Sequence, residues 1–93
     1  GKKPGQKVVV PLPAGSYDVG IKYAMCNDAK PLAWKIGQTS GVIDKATDCK
    51  DGVADLGDQV IPSGASIEFS SKGDATGSDC CWFFINQIGL KKS

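Results

Sequence analysis

The stretch 17-YDVGIKYA-24 constrains the fold more than any other, because it alternates strictly. Tyr17, Val19, Ile21 and Tyr23 point one way and Asp18, Gly20, Lys22 and Ala24 the other. A period of two is the mark of a strand with one dry and one wet face. Nothing in the chain repeats with the helical period, and twelve glycines and five prolines oppose helices further. The chain therefore reads as all-β.

Other segments carry the same period. Val8, Val10 and Leu12 share one side of a first strand, and the turn 13-PAGS-16 predicts a hairpin into the strand at 17–24. In 32-LAWKIGQ-38, Leu32, Trp34 and Ile36 alternate with Ala33, Lys35 and Gly37, which puts Trp34 in the core, as Tyr23 is. Val42 and Ile43 make a short strand, 44–58 reads as an acidic loop, and extension resumes at Gln59–Ile61. After the turn 62-PSG-64, Ile67 and Phe69 face inward against Glu68 and Ser70. The last strand is 79-DCCWFFINQIGL-90, with Phe83 and Ile85 inward and Trp82 and Phe84 outward. The expected architecture is a small antiparallel β-sandwich, jelly-roll-like, over residues 7–91, preceded by a linker remnant at 1–6.

With 93 residues the chain supports one domain with a thin core, burying roughly 60–65% of the unfolded surface. Four cysteines without a CxxC pair then read as two disulfides and an oxidising, secreted setting. No apolar run approaches the roughly 20 residues of a membrane helix. The opening Gly1-Lys2-Lys3-Pro4-Gly5 reads as linker, and the chain as one monomeric module of a larger secreted enzyme.

Charge chemistry narrows the function. All eleven cations are lysine, nine of the ten acids are aspartate, and neither arginine nor histidine occurs. Without histidine there is no Ser-His-Asp or Cys-His nucleophile and no ordinary zinc site, so catalysis is not expected. Without arginine, and with a net charge of +1, nucleic acid is a poor partner.

If the strands alternate up and down, loops 25–31, 44–58 and 72–80 meet at one end. That end gathers Cys26, Cys49, Cys80 and Cys81. The adjacent pair could tie down Cys26 and Cys49 separately or close on itself as a vicinal ring. Asn27, Asp28, Asp44, Asp48, Asp51, Asp55, Asp58, Asp74 and Asp79 collect there too, a set of hard oxygens suited to calcium. No loop has the spacing of an EF-hand.

The order of motifs adds a resemblance. Segment 11-PLPAGSYDVGIKYA-24 resembles the paired-strand motif PAGxYxhxhxYA of non-catalytic carbohydrate-binding modules with a galactose-binding-like β-sandwich. Segment 60-VIPSGASIEF-69 is similar to their later hairpin, and 83-FFINQIGL-90 to their closing strand, with Asn86 where Asp is usual. Together these cover about two thirds of the chain. The nearest pattern is that of the calcium-dependent xylan-binding modules, whose acidic loop precedes the closing strand as 72-KGDATGSD-79 does here. The resemblance implies polysaccharide binding, with Asp74 and Asp79 as metal or sugar ligands; Asp48 and Asp51, from the acidic set gathered at the same end, are expected to complete the metal set.

Sugar rings stack on aromatic faces while their hydroxyls pair with amides, ammonium groups and carboxylates. Trp82 is the expected platform. Asn27, Asp28, Lys50, Lys72 and Asp79 are the expected polar contacts, and Lys30 and Lys35 could add to a surface for acidic polysaccharide. The other location considered is a sheet face bearing Lys22 and Lys35.

Overall fold

The computed structural model describes residues 7–25, 31–45, 47, 48, 50–71 and 83–93. Seven strands run in chain order: β1 (Lys7–Pro11), β2 (Gly15–Met25), β3 (Leu32–Ile36), β4 (Thr39–Ile43), β5 (Asp51–Ile61), β6 (Ser66–Ser71) and β7 (Phe83–Lys92). They form two antiparallel sheets, one in the order β1-β6-β3-β4 and the other β5-β2-β7. No helix occurs among the described residues.

The alternation in each strand supplies the core. Val19, Ile21, Tyr23 and Met25 of β2 and Phe83 of β7 bury against Leu32, Trp34, Ile36, Ile43, Ile67 and Phe69 of the facing sheet. Tyr23 and Trp34 are thus core residues, and the inner row Ile67–Phe69 is as the pattern predicts. Phe83 is buried while Phe84 is half exposed, so the opening of β7 keeps the expected phase. Between Lys22 and Tyr23 the register against β7 slips, and the inner row passes from Phe83 and Ile85 to Ile88 and Leu90. The closing strand continues to Lys92, two residues past its expected end at Leu90.

Three expectations are corrected. The first concerns the hairpin of residues 8–24: β1 pairs with β6, Val8 opposite Phe69, while β2 lies in the other sheet. Pro11 and Pro13 offer no N–H to a neighbouring strand, and Leu12 instead donates its N–H to the Ala65 carbonyl at 3.1 Å, extending the pairing with β6. The segment crosses between layers.

The second concerns 44–58, of which the part from Asp51 onward is strand. β5 pairs with β2 from Asp51 opposite Ala24 to Ile61 opposite Gly15. Aspartate and glycine are poor strand formers, but this edge strand needs only one dry row, supplied by Ala54, Leu56 and Ile61. Leu56 is the extra residue of a bulge, and Gly57 takes a φ of 78° beside it.

The third is the short strand at Val42–Ile43, which begins three residues earlier. β3 and β4 form a hairpin about residues 37 and 38, with Trp34 opposite Gly41. Among the described residues these are also the only consecutive strands to share a sheet.

Candidate functional site

The ends of the strands decide what can meet. In one sheet Leu32 lies opposite both Ile43 and Ser71, and in the other Ala24 lies opposite Asp51 and Met25 opposite Phe83. Thr47, in the segment that leads from β4 to β5, is tied to the end of β2: its N–H donates to the Met25 carbonyl at 2.9 Å, and its Oγ1 accepts from the Met25 N–H at 2.9 Å. The same hydroxyl bonds the Lys50 carbonyl, and Tyr23 donates its hydroxyl to the Lys45 carbonyl at 2.7 Å. The strand ends that flank 26–31, 44–50 and 72–82 therefore lie at one rim. Burial pushes the Tyr23 phenol above its usual pKa and keeps it a donor.

Gly52 accommodates this anchor, since a Cβ there would run into the Thr47 methyl group. Thr47→Val keeps the shape but leaves the Met25 N–H without that acceptor. A loss of about 1–2 kcal/mol is expected in urea unfolding, with the m-value unchanged.

Of the residues assigned to the site from sequence, Asn27, Asp28, Lys72, Asp74, Asp79, Trp82 and the cysteines Cys26, Cys49, Cys80 and Cys81 lie outside the described residues, as does Lys30. Asp48, Lys50 and Asp51 stand at the rim, all exposed. Asp48 adopts a φ of 56°, and Asp51 accepts a 2.7 Å hydrogen bond at Oδ1 from Asn86 Nδ2. Asp44, exposed as well, follows the rim end of β4. Among the described residues no group of three or more Asp, Glu, His or Cys is placed to hold a metal ion.

Two placements are corrected. Asp55 and Asp58 do not belong to the rim: they lie well along β5, Asp58 opposite Asp18 and Asp55 opposite Gly20. Lys22 and Lys35 do not share a face, because β2 and β3 belong to different sheets and both side chains point away from the core. The extended pairing of β5 with β2 is what overturns the first.

That pairing builds a surface on the outer face of β5-β2-β7. Across it run the rows Asp51–Ala24–Phe84, Val53–Lys22–Gln87, Asp55–Gly20–Gly89 and Asp58–Asp18–Lys91. Gly20 and Gly89 are side by side at the middle, leaving an open trough of about 430 Å³ bordered by Asp18, Val53, Asp55 and Lys91. Val53 is 74% exposed and Phe84 50%. Asp18, Gly20 and Lys22 were legible as the wet face of their strand. Their partners on β5 were hidden by its loop-like composition.

Asp18 reports the crowding of this face. Its pKa is raised above the ordinary value, first by a side-chain hydrogen bond with Asp55, then by desolvation and the charges of Asp55 and Asp58, with Lys91 opposing. An acid whose pKa is higher folded than unfolded contributes stability that is complete below the unfolded pKa and is lost as pH rises through the folded one. At neutral pH the ionised Asp18 opposes folding. Asp18→Asn should raise the neutral-pH melting temperature and flatten its dependence on pH through the upper carboxylate range, as followed by circular dichroism.

Compared with protein-family models, characterised proteins and solved structures, the chain finds no match.

Proposed function

We propose that this chain is a secreted, non-catalytic polysaccharide-binding module that holds an appended enzyme on plant or microbial polysaccharide. The observation that carries the reading is the outer face of β5-β2-β7. It joins a half-exposed aromatic ring, Phe84, to a trough edged by carboxylates and an ammonium group. A sugar ring needs an apolar platform and its hydroxyls need acceptors and donors, and this face offers all three. Trp82, two residues before Phe84 in the sequence, is proposed as a further stacking platform. Asn27, Asp28, Lys50, Lys72 and Asp79 are proposed as further polar contacts, and calcium, with Asp74 and Asp79, as an aid to binding.

Affinity electrophoresis through gels of xylan, β-glucan, mannan and pectin tests the reading. Retardation in one of these gels is expected, reduced in Phe84→Ala and Trp82→Ala. Sensitivity to EDTA supports the calcium assignment. Unretarded migration in every gel sinks the polysaccharide reading.

A protein-interaction domain is the second reading, favoured by a specific feature. β1 and β7 are edges of their sheets, and between them an open groove of about 340 Å³ is lined by Val8, Val10, Ile85 and Ile88. An extended segment of another protein could add there as a strand.

A further inference from the structure

Gly20 is costly where it stands. Glycine in the interior of a strand weakens it and is kept where a bulge, a sharp bend or the close approach of another group requires it. None of the structural reasons applies to Gly20. The bulge beside it has its extra residue on β5, the φ of Gly20 lies outside the left-handed region, and a Cβ built on it meets nothing within 4 Å. Its neighbour Gly89 is little different: a Cβ there would stand 3.8 Å from the Gly20 carbonyl oxygen, an ordinary contact. Two side chains could be accommodated, and their absence is what makes the trough.

We infer that Gly20 and Gly89 are the floor of a track for an uncharged, hydroxyl-rich glycan chain lying across the outer face of β5-β2-β7. This rests on the polysaccharide reading and specifies its site and ligand class. The charges choose the class. Asp18, Asp51, Asp55 and Asp58 stand on this face against Lys22 and Lys91, so a polyuronate meets more carboxylates than ammonium groups. An amino-sugar polymer gains from the carboxylate excess but has to lay its ammonium groups past the two lysines, which occupy the rows on either side of the glycine pair, Lys22 beside Gln87 and Lys91 beside Asp18. A hydroxyl both donates and accepts, so a hydroxyl-rich chain satisfies Asp18 and Asp55 together with Lys22 and Lys91. Pectin, an acidic polysaccharide of the kind the lysines of the sequence suggest, is thereby set aside.

Gly20→Val tests this cleanly, because the substitution fills the track while placing a better strand former in unstrained backbone. The full chain is run through gels of β-glucan or mannan (uncharged), polygalacturonate (acidic) and chitosan (basic). Wild type should be retarded by an uncharged gel alone. Gly20→Val should lose at least tenfold in affinity there, with a melting temperature equal to or above that of wild type. Gly89→Val, which blocks the same trough from β7, should behave likewise and serves if Gly20→Val folds poorly. Retardation by polygalacturonate or chitosan overturns the ligand class. Equal binding by wild type and both valine variants overturns the track while leaving polysaccharide binding intact. Failure of wild type to bind any gel removes both.

Discussion

Phe69→Ala is expected to destabilise the domain by about 3–5 kcal/mol. Phe69 is fully buried and stands at the centre of the four-stranded sheet, opposite Val8 of β1 on one side and Trp34 of β3 on the other. Removing its ring takes away transfer free energy and leaves a cavity that strands paired on both sides cannot collapse to fill. A domain of this size holds about 5–14 kcal/mol in total, so the loss takes a large share. Phe69→Leu, nearer in volume, should cost about 1 kcal/mol. Equilibrium unfolding in urea measures both, and similar midpoints for the alanine variant and wild type would mean that the two sheets do not close over this residue.

The sequence made Phe69 readable because Ile67 and Phe69 alternate with Glu68 and Ser70. The same rule identified Tyr23 and Trp34 as core and set the phase at the start of β7. It failed where one row of a strand is small or polar. In 51-DGVADLGDQVI-61 the exposed row carries Val53 and Val60 while the inner row opens with Gly52 and Ala54, so hydrophobicity points the wrong way. Only the hydrogen bonds to β2 make that segment a strand. Alternation also says nothing about which strand lies alongside, and β1 was accordingly assigned to the wrong neighbour. The candidate site suffered from the same blind spot: the wet face of β2 was legible as Asp18, Gly20 and Lys22, but a face becomes a surface only when its flanking strands are known. Asp55 and Gly89 border the trough through register, which no local pattern encodes.

Gly41→Leu is expected to cost about 2–3 kcal/mol, for the opposite reason from Phe69→Ala. Gly41 lies opposite Trp34, and a Cβ at this position would stand 2.9 Å from Trp34 Cε2, Cζ2 and Nε1. The indole is packed against bare backbone. Trp34 is 8% exposed and walled by the core, so its ring can move only by disturbing the residues around it. Replacing glycine should by itself stabilise an extended position by about 0.4–1 kcal/mol through the unfolded chain, a gain too small to offset the overlap. The near-ultraviolet circular dichroism of Trp34 should weaken along with the urea midpoint. Because β4 belongs to the sheet that does not carry the glycine trough, glycan affinity measured below the melting transition should match wild type. A Gly41→Leu protein that remains folded but loses binding would show that the two layers communicate, and would move part of the site onto the β1-β6-β3-β4 sheet.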